Sequence, residues 1–158
     1  MSSYMAGILD YSTSPHMMQS LLNYTGTPQM PDPFVWAPCR SANKVANISK
    51  QVFAAAAGGK ISSYTFDMSS FADVRKFAEA VRADHPSINV LINNAGIFSK
   101  QKAFSKDGIE MTWAINALAP FLLTSLLLDT VTERIVNVGS MALASSMDFT
   151  NLQQVKLC

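Results

Sequence analysis

The strand-like segments of this chain are apolar at successive positions rather than alternate ones: Ile88 to Ile92 reads INVLI, and the segment Glu133 to Val138 ends IVNV. A strand of that kind is buried on both faces, whereas a half-solvated strand would alternate. Segments of helical period lie between them, and that order argues for a parallel sheet covered by helices on both sides. Phe34 to Cys39 is a short apolar run in which Pro38 suits an edge or a strand end. Asn43 to Ala57, rich in Ala, Lys and Gln, reads as a helix that stops at Gly58-Gly59. Lys60 to Phe66 reads as a strand, broken by Asp67 and two serines. Ser70 stands where it can cap a helix whose Val74, Phe77, Ala78 and Val81 share one face, and His85-Pro86 closes it. Gly108 to Asp129 is a long helical stretch that Pro120 should kink.

Residues 1–33 are different in kind. They are rich in Ser, Thr, Met and Pro, carry only Asp10 and Asp32 as charged residues, and place three prolines between Thr27 and Pro33. No period of either kind is sustained there, so an irregular or disordered N-terminal arm is expected, with one short helix around His16 to Tyr24. Residues 34–158 form the expected domain.

Charge and composition exclude several classes. The chain has 158 residues and a formal net charge of +1, with no basic stripe for nucleic acid and no polybasic anchor for lipid. Its two cysteines, Cys39 and Cys158, fit neither a disulfide framework nor a metal site, and His16 and His85 have no partners that suggest ligation, so no metal is expected. The longest apolar run, Ala117 to Leu128, is too short to span a bilayer and contains Pro120. No basic residue precedes an apolar segment at the start, which argues against a secretory signal and for a soluble, cytoplasmic protein.

In an open parallel sheet, ligands bind outside the carboxyl ends of the strands. Polar residues fall there repeatedly: Arg40 after one strand, Asp67 after the next, Asn93 to Gly96 after the third and Ser140 after the fourth. Gly96 would let a flat ligand approach the backbone, and the asparagine amides can both donate and accept. INNAG after a strand, WAINALAPFLLTSLLL on a helix and RIVNVGS on the next strand resemble the short-chain dehydrogenase/reductase family. WAPCR and YTFDMSS resemble its second and third strand ends, so the likeness covers about residues 34–158 and leans toward the retinol-dehydrogenase-like branch.

The resemblance implies a doubly wound, Rossmann-like sheet and hydride transfer between a small-molecule carbonyl or alcohol and NADP(H). It implies that Asn93 stabilises the central strand beside the cofactor and that Ala95 and Gly96 pack against the adenosine ribose. Asp67, with Met68 beside it, would bond the adenine, and Arg40 would meet the 2′-phosphate, favouring NADP over NAD. Asn116 would hold a water of the proton relay, and Ser140 would bond the substrate carbonyl. Read without the resemblance, Arg40 is a solvated loop charge, Asp67 a helix N-terminal residue favoured by the dipole, Asn116 an ordinary helix residue and Ser140 turn chemistry.

Two departures limit what the resemblance implies. The family's first strand runs into a glycine-rich turn that receives the pyrophosphate, but after Thr25-Gly26 the glycine positions hold Met30 and Asp32. Beyond its serine the family places a tyrosine with a lysine four residues later. Here the last tyrosine is Tyr64, and Leu152 stands four before Lys156. The expected fold is therefore a partial sheet lacking the first strand with its loop and the C-terminal strands, in a truncated, catalytically incomplete relative. A non-catalytic interaction protein, or a splice or gene-model fragment of a longer reductase, is the alternative. In the order 3-2-1-4-5 the first strand separates Phe34–Cys39 from Ile88–Ile92. Either part of residues 1–33 takes that slot, Ala6 to Leu9 being the best short candidate, or the edges stay unpaired and invite self-association.

Overall fold

The computed structural model describes residues 6–8, 64–99, 101–139 and 148–153. The expected strand Phe34–Cys39 and helix Asn43–Ala57 lie outside them, as do Arg40 and Ser140. The described sheet has three parallel strands in the order β1 (Ala6–Ile8), β2 (Ile88–Asn93) and β3 (Val131–Asn137).

β1 bears on one side of the central slot, the side facing β2. Three residues of the segment read as an irregular arm pair with β2, in the register Ala6↔Leu91, Gly7↔Ile92 and Ile8↔Asn93. β2 thus has a neighbour on each side, and all six of its residues are buried. β3 runs beside it from Ile88↔Val131 to Asn93↔Asn137, with an irregularity between Ile88 and Val90. It begins two residues earlier and ends one residue earlier than the apolar pattern suggests.

Helix α1 (Phe71–Asp84) follows its sequence signals closely. Ser70 caps it by accepting from Asp73 N at 3.2 Å, and the buried residues are Val74, Phe77, Ala78 and Val81. Of the expected strand Lys60–Phe66 only the end is described: Tyr64, Thr65 and Phe66 are irregular, and residues 60–63 lie outside the described residues. Phe66 is held by its ring instead, stacked on Phe77 at 4.0 Å between centroids, while Tyr64 meets Phe77 edge-on at 5.5 Å. Ring packing on α1 stands in for a ladder there.

The long helix, α2, is three consecutive segments: Met111–Trp113, the π-helical Ala114–Leu118 and Ala119–Leu127. Gly108 to Glu110, expected as its first turn, form a loop in which Gly108 takes φ +74 and Glu110 caps the helix. Pro120 produces a widened turn rather than a sharp kink. It has no N–H to give to the carbonyl of Asn116, and the chain adopts the longer spacing just before it, with Ala119 N–H bonded to Ala114 O. Leu123, Leu127, Ala119 and Ile115 of α2 pack with Val74, Phe77 and Val81 of α1 and Leu91 of β2 in one cluster. Arg82 ties the far ends together, meeting Asp129 with both amino groups and donating to Leu126 O at 2.9 Å.

Candidate functional site

The residues of the LINNAG segment sit where β2 ends. Asn93 is 6% exposed, and its Nδ2 donates to Thr124 Oγ1 of α2 at 2.9 Å and to Asn137 Oδ1 of β3 at 2.8 Å. Its carbonyl oxygen accepts from Val138 N at 2.9 Å, extending the β2–β3 ladder by one bond. One carboxamide therefore joins β2, its neighbour β3 and the helix above. Asn93 Oδ1 faces no donor among the described residues.

Asn116 closes the same end of the sheet from α2. Its Oδ1 accepts from Ile97 N at 2.8 Å and its Nδ2 donates to Ile97 O at 2.9 Å. Both ends of the carboxamide are spent on the loop backbone, so the side chain positions the loop after Gly96. A Cβ built on Gly96 would sit 3.6 Å from Asn116 Oδ1, an ordinary contact. Among the described residues, nothing around Gly96 sterically requires a glycine.

Asp67 lies at the corner leading into α1. Its Oδ1 accepts from Ser69 N at 2.9 Å and Ser69 Oγ at 2.8 Å, and its Oδ2 pairs with Lys106 Nζ at 3.2 Å. The side chain is 12% exposed. The side chain of Met68, next to Asp67, belongs to the hydrophobic cluster with Phe66 and Phe77. Ala95 packs against that same cluster. The structure thus gathers Asn93, Ala95, Gly96 and Asn116 at one sheet end and places Asp67 at the margin of the shared core; Arg40 and Ser140 fall outside the described residues.

Sequence reasoning missed the loop Ala103–Glu110, which braces this region. Glu110 is 6% exposed and accepts from Thr112 N at 3.0 Å and Trp113 N at 2.7 Å. Burial pushes its carboxyl up, but those N–H groups, the Thr112 side chain and Lys102 outweigh it and hold the carboxyl below its ordinary value. The Glu110 N–H in turn donates to Gln153 Oε1 at 2.8 Å. A Glu just before an apolar helical run was the available signal for this cap; no signal existed for Lys106 or Gln153, whose partners are distant in sequence. Among the described residues no group of acids, cysteines and histidines could hold a metal.

The family model of short chain dehydrogenases matches residues 33–151. This chain belongs to that family. It is similar to human retinol dehydrogenase 11, 35% identical over 127 residues that make up 77% of this chain and 40% of that protein. Human retinol dehydrogenase 13 is 32% identical over 119 residues, 72% of this chain and 36% of that one. The chain therefore spans well under half the length of these curated relatives. Among solved structures, a Serratia marcescens short-chain dehydrogenase/reductase variant (F98L/F202L) superposes with a TM-score of 0.65 at 16% identity, over 89% of this chain and 56% of its own. An NADH-dependent reductase complexed with NAD gives 0.62 at 17% identity, over 89% and 60%. A metagenomic blue fluorescent protein in complex with NADPH gives 0.62 at 22%, over 86% and 56%. At these identities the structures speak for the fold, a partial Rossmann-like sheet of short-chain dehydrogenase ancestry.

The residues present suit one half of a nicotinamide dinucleotide. Were such a cofactor bound as the resemblance implies, Asp67 would supply a carboxylate to an exocyclic amine and Gly96 bare backbone to a ribose. In sequence, β1 is followed by Leu9-Asp10-Tyr11-Ser12-Thr13-Ser14-Pro15, a stretch without glycine that lies outside the described residues.

Proposed function

We propose that the chain is an oxidoreductase-type domain that binds NADP(H) chiefly through its adenosine half and has lost, in these residues, the means to reduce a carbonyl by itself. The observation that carries the reading is the sheet end itself. Asn93 and Asn116 spend their carboxamides on holding the strand end and loop, and among the described residues a Cβ on Gly96 would meet only Asn116, at ordinary contact distance. The preference for NADP over NAD rests on Arg40, since guanidinium–phosphate pairs are among the stronger charge-assisted contacts. Incompleteness rests on the missing proton donor. No tyrosine follows Tyr64, and such groups contribute on the order of 10²–10⁴-fold to rate. Asn116 would hold a relay water, and Ser140 would meet the carbonyl of a small substrate. A cytoplasmic location is part of the same proposal; among the described residues no helix is long and apolar enough to cross a membrane.

Calorimetric titration of the chain with NADP and NAD tests the binding claim. NADP should bind more tightly, and Arg40→Ala should bring the two curves together; equal curves in the unsubstituted protein would remove the NADP assignment. NADPH with aldehydes, ketones and retinoids should show no oxidation above a heat-killed control. Turnover abolished by Ser140→Ala would overturn the incompleteness and require another proton donor.

A further inference from the structure

Lys106 is held in place as few surface lysines are. Its backbone N–H donates to Ser69 O at 3.0 Å, and the next residue, Asp107, accepts from Phe71 N at 2.8 Å through Oδ2. The turn that carries it is closed on itself. Ser105 N donates to Ile109 O at 2.7 Å, Gly108 N to Ser105 O at 3.0 Å, and Ser105 Oγ accepts from Ile109 N at 3.2 Å. From this fixed base the ammonium reaches Asp67 Oδ2 at 3.2 Å, with Asp73 Oδ2 farther off at 3.9 Å.

We propose that Lys106 and Asp67 together form the base-reading edge of the nucleotide site, and that Lys106 lets the site accept 6-oxopurines beside adenine. This rests on the assignment of Asp67 to the purine. Adenine presents an amine at position 6, which a carboxylate accepts. Hypoxanthine presents a carbonyl there, which a carboxylate alone repels. An ammonium fixed beside the carboxylate supplies the missing donor, because only one of its three N–H groups is needed for Asp67. The carbonyl then takes Lys106, and the adjacent ring N–H takes Asp67. Water reaches the pair in the free protein mainly at Lys106, which is 62% exposed against 12% for Asp67, and a base lying over it strengthens both contacts by excluding that water.

Calorimetry with 5′-AMP and 5′-IMP on the full chain tests this. The unsubstituted protein should bind the two within about tenfold of each other. Lys106→Met should leave AMP within about threefold and weaken IMP by roughly tenfold or more, the loss expected when a polar edge has no partner. Lys106→Arg should restore IMP. Asp67→Asn, whose amide can donate, should shift the preference toward IMP. A structural role for Lys106 would weaken both nucleotides equally, so an AMP-to-IMP ratio unchanged in Lys106→Met overturns the proposal while leaving the purine site standing. If neither nucleotide binds the unsubstituted chain, the assignment of Asp67 falls and Lys106 falls with it.

Discussion

Asn93 and Glu110 show how much of this protein rests on single buried polar side chains. Removing the Asn93 carboxamide would leave Thr124 and Asn137 facing each other across an unfilled polar gap. Asn93→Ala should therefore lower unfolding free energy by about 1–3 kcal/mol. Urea denaturation would show it, and a loss under about 0.5 kcal/mol would mean the network is slack. Glu110 makes a pH-dependent contribution. Its folded-state pKa lies below the ordinary 4.5, so its stabilisation is complete above that value and lost as pH falls through the folded one. Glu110→Gln should flatten this part of the acid limb in melting curves taken from neutral pH down to about pH 3. A mutant whose acid limb superposes on the parent's would locate the sensitivity elsewhere.

At the scale of elements, the widened turn of α2 does what a straight helix could not. The π-helical segment Ala114–Leu118 turns Asn116 toward Ile97 while Ile115 and Ala119 stay in the core. Pro120→Ala returns an N–H to the Asn116 carbonyl, and the segment should relax toward regular helix. The Ile97 amide, now held by Asn116 Oδ1, should then exchange with solvent markedly faster. Unchanged protection would show that core packing, not the proline, sets the turn. α1 needs no such device, because cap, apolar face and terminating His85-Pro86 all point to one helix.

For the molecule as a whole, the sheet is well covered at its centre and poorly at its side. β2 is wholly buried, but β3 is half-buried at Val131, Ile135 and Val136, exposed at Thr132, Glu133, Arg134 and Asn137, and pairs only with β2 among the described residues. Phe121 and Leu128 on α2 are 72% and 60% exposed, and Phe98 in the loop beyond β2 is 87% exposed. Open edges and apolar patches recruit other chains. We expect the isolated chain to self-associate and to melt broadly. Light scattering on a size-exclusion column and a thermal scan would check this; a monomer with one sharp transition would show that residues outside the described set cover these surfaces.

What could be read from the residues was whatever is decided locally. The helix from Ser70 and its buried face, the strand through Leu91, and the place of Asn93 and Gly96 at a strand end all follow from caps, periods and the geometry of parallel sheets, whereas Asn116 is singled out by the family resemblance. Tertiary structure decided the rest. Ala6–Ile8 has almost no strand signal, since a glycine sits in its middle, and it pairs because β2 offers a row of unmet backbone groups that must be satisfied. Tyr64 and Phe66, at the end of an expected strand, pack their rings against Phe77, a contact no local pattern announces. Lys106 reads as an unremarkable loop lysine until the fold brings Asp67 beside it. An ion pair between distant residues leaves no periodic trace, and only the folded chain brings its two halves together.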